Sequence, residues 1–364
     1  MTKQYFYVII SITVVLQFGK RGNMLKKIII SLFLVLSCGI CFSCTDSREN
    51  FRTDSTDVFA MDTYMNLKAC GENTEQALKD AVEEIHRLEN IFSVTLPESD
   101  ISSINKGIPA EVSDDTLNVL NSALEYGEST DGALDITIYP VLKLWGFTTG
   151  EYKIPEKSEI NELLENVGYS CMEINGNTVS VPENVRIDLG ALAKGYTGDR
   201  IMQIFKSHGI DSAIISLGGN VQALGKKPDG SNWKVSVRNP FSPDEDMCIL
   251  SVDGKAVITS GNYERYFEGG DGNVYWHIID PSDGYPADNG IVSATVTGES
   301  GIMCDALSTA FFVMGREKAE KYYRENKNFD MILVTDNREI LITEGISENF
   351  ENISNMPVEI IGND

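Results

Sequence analysis

The chain has 364 residues, 42% of them hydrophobic and 23% charged, which gives enough apolar material for a large core and excludes a disordered chain. Its 54 acidic residues outnumber 30 basic ones for a net charge of −24, and no local basic patch offsets that field, so a nucleic-acid partner is excluded. A single core stops growing near about 250–300 residues, so length alone allows one large domain or two.

In chain order the first element is an export signal. From Met24 the sequence runs MLKKIIISLFLVLSCGICFSC. A short basic segment precedes an apolar run too short to span a bilayer comfortably, the layout of a secretory signal peptide. Met24 is the expected start, with residues 1–23 upstream of it. The run ends at Ser43-Cys44. A cysteine at that junction resembles the lipidation site of bacterial lipoproteins, so Cys44 is the expected attachment point, with Cys38 a second candidate and cleavage without lipid the alternative. The expected location is therefore the periplasmic side of the inner membrane, held there by the lipid. Residues 44–57 read as a polar tether, 58–350 as one domain without repeat or internal linker, and 351–364 as a C-terminal tail. Of seven cysteines, Cys70, Cys171, Cys248 and Cys304 remain in the body. Their wide spacing, with no CxxC pair, indicates neither a zinc site nor a disulfide scaffold.

Thr74 to Phe92 carries Ala77, Leu78, Ala81, Val82, Ile85, Leu88 and Phe92 at helical spacing, with Asn73 or Thr74 as cap. Ser113 caps a second helix through Leu117, Leu120 and Leu124. A third runs near Pro155 to Val167 and is expected to end on Gly168. CMEINGNTVSV reads as a hairpin with a type I′ turn at Asn175-Gly176. RIDL follows as a strand, then a helix over Leu192 to Ser207 closed by Gly209. SAIISL is a strand ending at Gly218-Gly219-Asn220. Further strands are expected at WKVSVR, KAVITS, VYWHII, VSATVT, MILVT and EILIT, with one helix near Ser300 to Met314 among them. Hairpins and clustered strands in this mixed order predict an α+β fold with largely antiparallel sheets rather than a doubly wound one.

Only three histidines exist. His86 falls on a polar helix face and His208 at a helix C-terminus, where a cation suits the dipole. His277 differs, because it ends an aromatic strand three residues before Asp280-Pro281. With so few histidines and no thiolate cluster, a bound metal would have oxygen ligands, which points to magnesium or calcium. In GIMCDALSTAFFVMG, Asp305 and Thr309 share one helix face amid apolar residues, and a buried carboxylate needs a partner. A first-turn Asp and a Thr bonded back to its own helix would explain the same pattern. RIDLGALAKGYTGDRI ends an expected strand on Asp188 and continues through small residues with Lys194 set between Gly190 and Gly195. Bare amides at a helix start and a lysine describe a phosphate and metal site, although the spacing matches neither standard glycine-rich phosphate loop. Tight helix packing is the structural alternative. SLGGN is a weaker candidate of the same kind.

Taken together with AMDTYM, FSVTLPESDISSIN, GALDITIYPVLKLWGF, WKVSVRNP, AVITSGNYERYF and HIIDPSDGYP, these motifs resemble the ApbE family over about Val58 to Ile346. The resemblance implies bound FAD and Mg²⁺, and transfer of the FMN half to a Thr or Ser hydroxyl of an exported redox-complex subunit with release of AMP. It implies metal ligands from the Asp305 and Thr309 side chains and the Ala191 carbonyl. It implies FAD contacts from Met61, Ala133, Leu134, Asp135, Asp188, Lys194 and the backbone near Ile279. Asp305 and His277 are both candidates for the base that takes the hydroxyl proton. One departure is Thr95, where many relatives have an aromatic residue. An FAD pyrophosphatase, with water replacing the acceptor, and a non-enzymatic flavin-binding lipoprotein are the alternative functions.

Overall fold

Near-continuous apolar runs such as SAIISL and MILV require a sheet buried on both faces, and the computed structural model, which describes residues 52–362, contains one. Nine strands form it: β1 (Thr53–Ala60), β2 (Thr63–Cys70), β3 (Ser212–Leu217), β4 (Asn220–Leu224), β5 (Ala256–Gly261), β6 (Ile291–Gly298), β7 (Phe329–Thr335), β8 (Ile340–Thr343) and β9 (Val358–Ile361). Their spatial order is their chain order. Every neighbour is antiparallel except β9, which runs parallel to β8. Because successive side chains point to opposite faces, Ala256, Ile258, Val296 and Leu333 meet a helix layer, while Val257, Ile332 and Val334 meet a second sheet. That second sheet is built from Trp233–Asn239, Ser242–Val252 and Phe350–Asn352.

The helix layer holds α1 (Thr74–Phe92), α3 (Ala193–Ser207) and α4 (Gly301–Glu325), with α2 (Asp114–Ser129) packed beyond α1 and α4 in a further core. Ser113 caps α2 by accepting from the Thr116 amide, as its type and position require. Asn73 occupies the N-cap of α1, but in the left-handed region and without a side-chain bond.

The α+β class expected from the sequence is the one observed, and several boundaries move. RIDL is not a strand. Its extended backbone is held by the Asn105 side chain, which donates to the Ile187 carbonyl and accepts from the Ile187 amide, and by the Asp188 amide on the Ile136 carbonyl. The 173–180 hairpin turns on Gly176-Asn177 rather than Asn175-Gly176, with φ positive at Gly176 alone, the pattern of a II′ turn. The helix near 155–167 spans only Lys157–Leu164, started by a capping box of Glu156 and Glu159, and Gly168 has extended backbone three residues past its C-cap, Glu165. The strand over VYWHII ends at Trp276. Helix α4 breaks at Gly315 (φ 76°) and then resumes to Glu325. Residues 53–57, expected in the tether, belong to β1, and the expected C-terminal tail supplies β9. The signal peptide and Cys44 lie outside the described residues.

Candidate active site

A cavity of about 720 Å³ opens where β1, β2, β3 and β5 end beside the starts of α3 and α4. Every residue that the sequence marked for cofactor or metal lines it: Met61, Ala133, Leu134, Asp135, Asp188, Ala191, Lys194, His277, Ile279, Asp305 and Thr309. They come from segments more than 200 residues apart, so the fold rather than local spacing assembles them.

The bare run after Asp188 answers to two demands at once. A Cβ on Gly195 would lie 2.4 Å from the Gly301 carbonyl oxygen and 2.7 Å from the Asp305 Cβ, so Gly195 lets α3 and α4 touch backbone to backbone. Gly198 makes the same allowance for Gln222, whose Nε2 donates to the Gly195 carbonyl at 3.0 Å. Packing therefore explains the glycines within the helix. The consequence is chemical. With the helices this close, the Gly195 amide donates to Asp305 Oδ2 at 2.8 Å. That amide is a first-turn donor of α3, one of the N–H groups a helix start leaves without an intrahelical acceptor, while the Ala191 carbonyl lies just ahead of the N-cap, Leu192. Asp305 is only 4% exposed, and Thr309 stands one turn further along α4 with its Oγ1 3.2 Å from Ser260 Oγ. A carboxylate, a hydroxyl and a main-chain carbonyl on one cavity wall form an all-oxygen donor set, which fits a hard divalent cation such as Mg²⁺. Among the described residues there is no cluster of three or more His, Cys, Asp or Glu side chains to offer a competing metal site.

His277 is oriented by its own strand end. Its Nδ1 lies 3.3 Å from the Arg265 carbonyl. A carbonyl only accepts, so Nδ1 carries the proton and Nε2 keeps its lone pair. Enclosure in the cavity wall, then the nearby Arg265 and Lys194 cations, push the imidazole pKa down to about 4, and His277 is neutral at pH 7. The Phe147 ring packs edge-on against it, centroids 6.4 Å apart.

Asp188 accepts from the Gly190 amide at 2.8 Å, and burial raises its pKa against the opposing pull of that bond and of Lys194 and Arg265. Lys194 Nζ reaches the Gly190 carbonyl at 3.3 Å, closing one turn of the loop. Asp135 is spoken for: Oδ1 accepts from the Thr137 amide and hydroxyl, and Oδ2 from the Tyr169 amide. It therefore shapes the 133–138 wall, with both carboxylate oxygens held by the protein. Met61 and Asp62 form the β1–β2 turn with φ of 49° and 58°, a conformation that costs non-glycine residues about 1 kcal/mol or more each. The Met61 amide is fixed by Glu89 Oε1 at 2.6 Å. Thr95 does line the cavity, and no aromatic ring replaces it at that position.

Sequence reasoning passed over several contributors. Arg265 lines the cavity and bridges to Asp62 at 3.2 Å across its rim. Asp199, one helix turn past Gly195, accepts from the amides of Gly301 and Ile302 at 2.7 and 3.0 Å and thereby caps α4 from outside. Burial raises its pKa. Nothing local in the sequence links Asp199 to Gly301, so no periodicity could have found it.

Residues 61–333 match the model of the ApbE family. An FAD:protein FMN transferase of Klebsiella pneumoniae is 33% identical over 266 residues, covering 71% of this chain and 82% of that protein. One of Treponema pallidum is 29% identical over 341 residues, 87% of this chain and 93% of its own. Among solved structures, the ApbE protein of Thermotoga maritima superposes with a TM-score of 0.77 at 32% identity, covering 82% of this chain and 99% of that one. The flavin transferase ApbE from Vibrio cholerae gives 0.71 at 28% identity over 78% and 94%.

Proposed function

Since the chain belongs to the ApbE family, we propose that it is an FAD:protein FMN transferase that moves FMN from FAD to a Thr or Ser hydroxyl of an exported redox-complex subunit and releases AMP. One observation carries this reading: a single cavity gathers an all-oxygen donor set, a lysine on a bare turn and a neutral imidazole.

In the proposed reaction the acceptor oxygen forms a bond to the FMN phosphorus, the P–O bond to AMP breaks, and the hydroxyl proton leaves to a base. Such transfers require positioning and charge neutralisation more than covalent help. Mg²⁺ held by Asp305, Thr309 and the Ala191 carbonyl would neutralise phosphate charge as the bond to AMP breaks. Lys194 adds a second cation on the same wall. Of the two candidate bases, His277 suits the role better: Nε2 is unprotonated at neutral pH, whereas one oxygen of Asp305 already accepts from Gly195. Ile138, Leu142, Phe147 and Ile279 form an apolar wall able to hold the flavin ring system. The lipid anchor at Cys44 and the periplasmic location are part of this proposal and place the cavity where an exported acceptor can reach it.

The test is incubation of the purified full chain with FAD, Mg²⁺ and an exported redox-subunit acceptor, followed by mass spectrometry of the acceptor. A covalent FMN adduct is expected. Free FMN without adduct would identify a pyrophosphatase, and intact FAD a flavin-binding protein. Asp305→Ala is expected to abolish metal-dependent turnover, and full activity in that variant would remove the metal assignment.

A further inference from the structure

The glycines of Ser216-Leu217-Gly218-Gly219-Asn220 are explained by the β3–β4 turn. Leu217 pairs with Asn220 across it, and Gly218 and Gly219 have φ of 61° and 96°, both in the region a tight hairpin demands. A Cβ at Gly218 would also collide with Thr63. None of this requires an asparagine next. Asn220 is nevertheless only 4% exposed, lines the cavity, and its Nδ2 has no hydrogen-bond partner. Of the five buried side-chain polar atoms without a partner among the described residues, it alone belongs to a residue of that cavity.

Its neighbour on the same strand face shows the contrast. Gln222, equally buried, directs its amide to the Gly195 carbonyl and is satisfied. One step nearer the turn, the β4–β5 ladder has ended, its last pair being Val257 with Val221, so Asn220 stands where the two strands part. Across that gap lie Thr259 and Ser260, and Ser260 bonds to Thr309. This is the polar side of the cavity, shared with Asp305 and Lys194 and separate from the apolar cluster around Phe147. A buried amide donor without a partner is costly, and on a cavity wall a ligand can supply the acceptor.

We infer that Asn220 is a binding residue whose side-chain amide donates to a phosphate oxygen of the dinucleotide. The inference rests on the transferase reading for the identity of the ligand, and on the unpartnered amide for the site itself. Phosphate rather than a flavin ring carbonyl fits because Asn220 shares its cavity with the hydroxyls of Thr259, Ser260 and Thr309, with Lys194 and with Asp305, whereas the ring's apolar surface matches the cluster around Phe147.

Three probes on the full chain test it: FAD and riboflavin by flavin fluorescence, and ADP directly by titration calorimetry. Asn220→Ala is expected to weaken FAD and ADP binding roughly tenfold, the worth of one donor to a charged acceptor, and to leave riboflavin affinity unchanged. Its melting temperature should stay level or rise, because the substitution deletes a buried donor that lacks a partner in the protein. Asn220→Asp should weaken both phosphate-bearing ligands further, by setting a carboxylate against the phosphate. Unchanged FAD and ADP affinities in both variants would overturn the inference. So would an equal loss for riboflavin, or a loss accompanied by a matching fall in melting temperature. A wild-type chain that binds ADP through Asn220 but not FAD would defeat the flavin reading while preserving the phosphate site.

Discussion

Gly195→Ala is the sharpest test of how the site is held together. The added methyl would sit 2.4 Å from the Gly301 carbonyl oxygen and 2.7 Å from the Gly301 carbonyl carbon and the Asp305 Cβ. Ordinary contact begins at 3.4 Å, so α3 and α4 must separate by about 1 Å, and both obstacles at Gly301 are backbone that no rotamer change can clear. Overpacking of this kind costs about 1–3 kcal/mol. The 2.8 Å bond from the Gly195 amide to Asp305 would stretch with it, adding about 1 kcal/mol or more for a hydrogen bond to a charged group. Denaturant unfolding should therefore show a loss of about 2–4 kcal/mol. Turnover should fall further than stability does, on the order of 100-fold, because a displacement of about 1 Å moves the Asp305 carboxylate relative to Ala191 and Thr309. Gly198→Ala serves as comparison, since its methyl meets the Gln222 side chain, which can swing aside. Its effects should be smaller on both measures. If Gly195→Ala unfolds and turns over like the parent, the helix contact does not set the carboxylate, and the structural account of the bare run is wrong.

Three other outcomes are expected. As the proposed base, His277 would act as the neutral imidazole, and with its pKa lowered to about 4, kcat/KM should hold steady as pH falls through 6.5 and drop only near 4. An acidic limb near 6.5, or one that survives in His277→Gln, would remove His277 as the base. Asp199→Asn keeps one acceptor where Gly301 and Ile302 need two, and should cost about 1–3 kcal/mol in urea unfolding; an unchanged midpoint would show that α4 needs no cap from α3. Thr309→Val preserves shape and removes the hydroxyl, so the Mg²⁺ concentration for half-maximal turnover should rise roughly tenfold with little change in melting. Identical Mg²⁺ titrations would strike Thr309 from the ligand set.

Much of the fold was legible because periodicity reports burial directly. The α1 stripe from Ala77 to Phe92 buries the face its spacing assigns, and the near-continuous apolar runs at 256–258 and 331–335 are buried on both faces, as central strands are. What escaped was decided by partners remote in sequence. RIDL alternates like a strand, yet Asn105, 82 residues away, supplies the hydrogen bonds that a neighbouring strand would have given. Gly168 looks like a helix stop, but the Glu156–Glu159 capping box fixes where that helix starts, and it ends before reaching the glycine. Among site residues, the resemblance placed all eleven on one cavity but could not say which side chains are free. Asp135 proved to be tied to Thr137 and Tyr169, whereas Asn220, in a motif that reads only as a weak ligand cradle or a turn, has a donor to spare.

The location of the cavity follows from the same physics. Charged and hydroxyl side chains cannot sit inside an apolar cluster without partners, and Asp305 is buried while Asp188 and His277 are half-buried. They fit only along a seam between clusters. Met61 packs against both the α1–α3 core and the core around Leu134 and Leu189, while Ile138, Phe147 and Ile279 belong to a third. The cavity lies where these three meet, with apolar walls donated by the clusters and a polar floor donated by strand ends and helix starts, the places where backbone groups lack partners of their own. The proposed dinucleotide, with a flat apolar ring and a charged diphosphate, suits that division between apolar walls and polar floor.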